Sequence, residues 1–259
     1  MFEKIDVVVL DHHQSKIELP KAHAIINPNQ LGDNSDLNYL CAAGVSFMTL
    51  VSLNSHLRKS KWFIKNDIKE PNLLDFLDIV SLGTICDVVP LVGLNRAIVK
   101  QGLKILNKKN VSVDTLQPVE NLSNARKFFR KFDGLKLVLY HAGRPAVMTG
   151  ELKDWKNELK LFAQETNAMV KCSGLVERAG VEWTKKTISP YVETIIEVFG
   201  SERVMFGTNW PVMTISSTYD LWVNTLNDIL TDLNLSQEVI DNIMGRNAFN
   251  HYGIGSVLD

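Results

Sequence analysis

A regular alternation in the second half of the chain limits what it can fold into. Leu135 to His141, Ala168 to Gly174 and Arg203 to Thr208 are short apolar runs that read as strands. Around them lie Val119 to Phe132, Leu152 to Thr166 and Ile188 to Phe199, where apolar residues recur at helical spacing. A strand followed by a single helix and another strand returns over the sheet, so the strands run parallel with right-handed crossovers. Two further helices are expected near Tyr219 to Leu233 and Ser236 to Met244. The class is α/β.

The first half is organised differently. Ile5-Asp-Val-Val-Val-Leu10 reads as a buried strand that ends directly in Asp11-His12-His13. His23 to Asn27 reads as a second strand, stopped by Pro28. Ala42, Val45 and Met48, then Leu50, Leu53 and Leu57, predict a helix from Tyr39 to about Leu57. Further helices are predicted over Pro71 to Leu82 and Asn95 to Asn107, with a loop over Gly83 to Pro90. The polar, β-leaning stretch from Asn110 to Gln117 is the best boundary, which gives two partial parallel α/β segments, 1–114 and 115–259.

Composition narrows the function. The chain has 259 residues, with 28 Lys and Arg against 29 Asp and Glu. A net charge of −1 gives no global field for nucleic acid. At 45% hydrophobic and 22% charged, the chain is not expected to be disordered. No apolar run approaches the roughly 20 residues of a membrane helix, and the opening Met1 to Asp6 does not read as a signal peptide. Cys41, Cys86 and Cys172 are too scattered for a disulfide framework or zinc knuckle, so a cytoplasmic location is expected.

Asp11, His12 and His13 stand where parallel sheets present ligand groups, at a strand's carboxyl end. Carboxylate and imidazole donors suit Mn²⁺ or Mg²⁺. Asp87, flanked by Ile85, Val88 and Val89, is a second candidate ligand. The simpler reading is that the histidines end a strand and Asp87 caps a helix. Val7-Val-Val-Leu-Asp-His-His13, Ala24-Ile-Ile-Asn-Pro-Asn29, Leu40-Cys-Ala-Ala-Gly-Val45 and Leu82-Gly-Thr-Ile-Cys-Asp-Val-Val-Pro-Leu91 occur in order. Together, over about residues 5–112, they resemble the DHH phosphoesterases, specifically the RecJ-type single-strand DNA exonucleases. The resemblance implies His12 and Asp87 as Mn²⁺ or Mg²⁺ ligands, Asp11 and His13 as members of the same catalytic motif, and single-stranded DNA as partner. The family's two earlier aspartate motifs are not in this sequence, so metal and DNA binding are expected to be weak.

In the second half, His141 and Arg144 follow one strand, Ser173 ends another, and Asn209 follows a third. In a (β/α)₈ barrel such strand ends share one mouth. There an imidazole can ligate metal or polarise a carbonyl, and arginine can clamp a carboxylate. The simpler reading has His141 as a hydrogen-bonded strand end and Arg144 in a surface pair. His141-Ala-Gly-Arg-Pro145, Lys171-Cys-Ser-Gly-Leu175, Phe199-Gly-Ser-Glu-Arg-Val-Met-Phe-Gly207, Trp210-Pro-Val212 and Asn247-Ala-Phe249 keep one order and spacing. From about residue 118 to the end they resemble the amidohydrolase-related lactonases and decarboxylases, as the last βα units of their barrel. The resemblance implies His141 as a metal-ligating or carbonyl-polarising residue, Arg144 as a substrate-carboxylate contact, and a small carboxylate or lactone as substrate. Where that family commonly carries the aspartate that acts as general base or metal ligand, this chain has Asn209, and its His-x-His pair is not in this sequence.

Both resemblances point to metal-dependent hydrolases. The expectation is a fusion of two hydrolase-family segments with little or no independent activity. The alternatives are a lactonase-like amidohydrolase acting on a small carboxylated substrate and a non-catalytic fusion product. Partial sheets leave unmet edges, so either one composite sheet or a homo-oligomer is expected. The cluster Arg126 to Lys131, with Phe128 and Phe129, reads as a solvated helix face with core aromatics rather than a nucleic-acid surface.

Overall fold

A computed structural model describes residues 5–132 and 134–254. Met1 to Lys4, part of the segment read as lacking signal-peptide character, lie outside the described residues. The chain divides into two compact units, Met1–Lys109 and Asn110–Asp259. Among the described residues the strands form two sheets, of two and four members, so of the two expectations the single composite sheet is not what forms.

In the first unit, β1 (Val8–Leu10) and β2 (Ala24–Ile26) pair in parallel, with Val8 opposite Ala24 and Leu10 opposite Ile26. Four helices follow: α1 (Ala42–Lys59), α2 (Trp62–Lys65), α3 (Leu77–Cys86) and α4 (Gly93–Lys108). Cys41 caps α1, its sulfur accepting from the Gly44 amide at 3.4 Å. Phe47, Leu77, Val80 and Ile98 form the core, with Ala43, Met48, Leu73, Leu94 and Ile105 against it. Two predicted boundaries move. The helix expected from Pro71 starts as a 3-10 turn at Leu73, because the Asn72 side chain caps the Leu74 amide. The segment from Gly83, expected to be a loop, stays helical to Cys86. Ser81 and Thr84 are fully buried there, and Thr84 donates back to the Val80 carbonyl at 2.7 Å. Tertiary burial thus overrides the weak helix propensity of Gly and Thr.

The second unit carries four parallel strands in sequential order: β3 (Val113–Thr115), β4 (Leu137–Leu139), β5 (Met169–Cys172) and β6 (Val204–Phe206). They are joined by α5 (Val119–Phe129), α6 (Lys153–Glu165), and the pair α7 (Val176–Ala179) and α8 (Lys185–Phe199). After β6 come α9 (Tyr219–Asp232), α10 (Gln237–Asp241) and α11 (Asn247–Tyr252). The helix expected to stop at Met244 instead passes through a π turn, Asn242–Arg246, into α11. Asn247 holds it there by donating to the carbonyls of Ser201 and Val204, both at 2.8 Å. Strand β3 was not expected. It spans the position where the sequence placed the junction.

Strand alternation sorts the two sheet faces. Leu137, Leu139, Val170, Cys172 and Val204 are buried on one face, where Trp222 of α9 meets the Phe206 ring at 5.8 Å between centroids. The other face carries Asp114, Val138, Lys171 and Met205. On the basic side of α5, Arg126 and Arg130, just past the helix end, share the single carboxylate of Glu165.

Helices α3 and α4 approach closely at Gly102, where a Cβ would sit 2.1 Å from Ser81 Oγ and 2.4 Å from the Leu77 carbonyl oxygen. Gly102→Ala should therefore destabilise the protein by about 1–3 kcal/mol, the usual range for an overpacked contact. Gly245→Ala, where nothing lies within 4 Å, is the contrast and should not destabilise. Urea unfolding of both variants checks the pair.

Candidate functional site

The carboxyl ends of the four parallel strands share one edge of the second unit. Beyond β4 the backbone enters the left-handed region at four successive residues: His141 (φ 49°), Ala142 (φ 46°), Gly143 (φ 74°) and Arg144 (φ 55°). Such a conformation costs about 1–2 kcal/mol for each residue bearing a Cβ, so the surroundings must hold it. The Arg144 amide donates to the His141 carbonyl at 2.8 Å. Ala142 is fully buried, and its carbonyl accepts from the Trp155 indole at 2.6 Å.

His141 is fixed from β5. Its Nδ1 lies 2.8 Å from Ser173 Oγ, and a Cβ on Gly174 would come within 2.6 Å of its Cγ. Gly174 also has φ +67°. Ser173, expected at the substrate, is 2% exposed and is engaged by this imidazole. Burial, then the charges of Arg144, Lys171 and Arg178, push the imidazole down to about 4. His141 is therefore neutral at neutral pH. Burial disfavours the Lys171 ammonium, but its hydrogen bonds to Asp114, Tyr252 and Tyr140 outweigh it and hold the pKa above the usual lysine range. The Lys171–Asp114 pair is 2.8 Å long, and the Tyr252 hydroxyl donates to the same carboxylate at 2.6 Å.

Two residues that sequence reasoning passed over belong to this rim. Arg178 of α7 donates from Nε to the Pro145 carbonyl at 2.6 Å. Burial, then repulsion from Arg144, lower its pKa, while Glu120 raises it. Glu177, its neighbour, accepts from Asn209 Nδ2 at 2.7 Å. The available signal was position alone: both follow Gly174 by three or four residues after a strand end. Asn209 itself is left-handed, φ 61°.

In the first unit the expected constellation forms a small cluster. Asp11 Oδ1 accepts from the His12 amide at 2.8 Å and lies 2.7 Å from His13 Nδ1. The hydrogen bond to His13 comes first among the causes that hold the Asp11 carboxyl below its ordinary value. His12 Nε2 lies 3.1 Å from Asp87 Oδ2. Asn27 and Asn29, quoted above only as motif letters, donate to the carbonyls of His13 and His12 at 2.9 and 2.7 Å. Arg58 is paired with Glu70.

Neither donor set fits a full metal cage. Structural and catalytic zinc sites take at least three protein ligands. Among the described residues no group of three or more His, Cys, Asp and Glu is placed to hold a metal ion. His12 with Asp87 supplies two donors, and His141 has its Nδ1 on Ser173.

A family model described as Amidohydrolase (Amidohydro_2) matches residues 78–254. The chain belongs to the amidohydrolase family. The match begins inside α3, upstream of the resemblance read from residue 118, and runs through the second unit. An amidohydrolase from Burkholderia multivorans, crystallised with bound zinc, superposes with a TM-score of 0.56 at 27% identity, over 61% of this chain and 57% of that one. The L-fucono-1,5-lactonase of Burkholderia ambifaria is 26% identical over 148 residues, 56% of this chain and 51% of that protein. The single-stranded-DNA-specific exonuclease RecJ of Escherichia coli is 44% identical over 214 residues, 80% of this chain. The chain spans 37% of that RecJ and 17% of the one from Dickeya dadantii. Among the described residues, no helix of this amidohydrolase is long and apolar enough to cross a membrane.

The His141 pKa gives a stability prediction. The folded state binds this proton less readily than an unfolded imidazole near 6.5. The contribution is thus complete above pH 6.5 and is lost as pH falls towards 4. Urea midpoints of the wild type should decline across that window more steeply than those of His141→Asn.

Proposed function

We propose that the second unit is a lactonase-type amidohydrolase site for a small lactone bearing a carboxylate. The observation that carries this reading is His141 held 2.8 Å from Ser173 Oγ, where burial and then the charges of Arg144, Lys171 and Arg178 push its pKa down to about 4. If the Ser173 hydroxyl donates to Nδ1, Nε2–H is left to donate to a carbonyl oxygen. Arg144 and Arg178 supply the fixed positive charge that recognises carboxylate. The lactonase relative and the lactonase-like motif order support a lactone as substrate; the carboxylate rests on the two arginines. Asn209 cannot accept a proton, so it does not activate water itself. Loss of a general base typically removes about 10²–10⁴ in rate, so turnover requires another residue to accept the proton. Isothermal titration with a panel of lactones and their hydroxy-carboxylate products should reveal a ligand. Arg144→Ala should weaken it about 10- to 100-fold, since hydrogen bonds to charged groups contribute about 1.5–3 kcal/mol. No binding across the panel, or an unchanged affinity in Arg144→Ala, contradicts the reading.

A second reading applies to residues 1–114 and rests on the 3.1 Å contact between His12 and Asp87. We infer a DHH-like segment fused to the amidohydrolase segment at 115–259, in a cytoplasmic protein. Its Mn²⁺ or Mg²⁺ site is limited to these donors, and its single-stranded DNA affinity is weak and salt-sensitive. Mn²⁺-dependent degradation of single-stranded DNA, abolished by His12→Ala, would overturn the weak-binding part of this inference.

A further inference from the structure

We propose that Glu177 is the proton acceptor for the attacking water, in the place that Asn209 cannot fill. The inference rests on the lactonase-type reading above and adds the residue that reading lacks. Glu177 stands in α7, immediately beyond the Ser173–Gly174 end of β5 that fixes His141. Its Oε1 accepts from Asn209 Nδ2 at 2.7 Å. Its Oε2 is buried and has no hydrogen-bond partner among the described residues. Leaving a buried acceptor unsatisfied costs about 1–3 kcal/mol, and more for a charged group, so such atoms point to a ligand.

The arrangement assigns a role to each group. Asn209 is the positioning residue: its amide fixes one carboxylate oxygen and leaves the other for water. Water oxygen bonds to the lactone carbonyl carbon while one of its protons passes to Oε2. The carbonyl electron pair moves onto oxygen, where His141 Nε2–H can donate. Collapse breaks the ring carbon–oxygen bond, and Glu177 returns its proton to the leaving alkoxide. The products are a hydroxyl and a carboxylic acid that ionises to solvent, so one water is added and the enzyme is regenerated.

The test is steady-state kinetics on a bound lactone, with product affinity measured in parallel on the full chain. Glu177→Gln should lower kcat by at least about 100-fold, within the range for general-base loss, while the hydroxy-carboxylate Kd changes less than threefold. Glu177→Ala covers the case in which the amide variant misfolds. Added formate should restore part of its rate, as a merely structural role would not allow. A Glu177→Gln enzyme within a fewfold of wild-type kcat overturns the assignment, as does a Glu177→Ala enzyme that binds product but does not respond to formate. A wild type that binds product without turnover also overturns the Glu177 assignment and leaves the binding reading standing. Absence of binding removes both.

Discussion

The contact between the His141 ring and the end of β5 organises the amidohydrolase rim. A glycine at 174 leaves room for an imidazole where any Cβ would come within 2.6 Å. The neighbouring Ser173 then meets Nδ1 at 2.8 Å. These two features tie one strand end to the next and fix the ring's orientation. The chain leaves β4 at this ring through a left-handed run from His141 to Arg144. Backbone strain of this kind persists only where the surroundings over-determine it. Here the buried Ala142 and its bond from Trp155 do so.

Electrostatics follows from that placement. A half-buried imidazole among Arg144, Lys171 and Arg178 has no reason to take up a proton. Lys171 is held charged by Asp114, and Asp114 also accepts from Tyr252 of α11. The positive field at His141 is therefore anchored across β3, β5 and the last helix rather than borrowed from mobile surface lysines. A neutral imidazole next to fixed cations is suited to polarising a carbonyl on an anionic substrate, a division of labour that keeps proton transfer for another group.

Much of this was legible in the sequence, for physical reasons. Strands β4 to β6 and their helices announce themselves by apolar runs and helical periodicity. His141, Ser173 and Asn209 were readable because each follows a strand end. Strand β3 was not, since Val113-Asp114-Thr115 is short and its stabilising partners, Leu137 and Lys171, are distant in sequence. Glu177 and Arg178 were missed because adjacent charges on a four-residue helix look like a solvated surface. Asn27 and Asn29 entered only as motif letters. Their work, holding the carbonyls of His13 and His12, depends on β1 and β2 lying side by side.

The proposed chemistry needs His141 to be a neutral donor whose free nitrogen is Nε2. Nitrogen-15 NMR of the His141 side chain at neutral pH tests it most directly. The expected result is a neutral ring in the Nε2–H tautomer, with Nδ1 accepting from Ser173, and a shift away from that state in Ser173→Ala. A doubly protonated ring, or a proton resident on Nδ1, would contradict it.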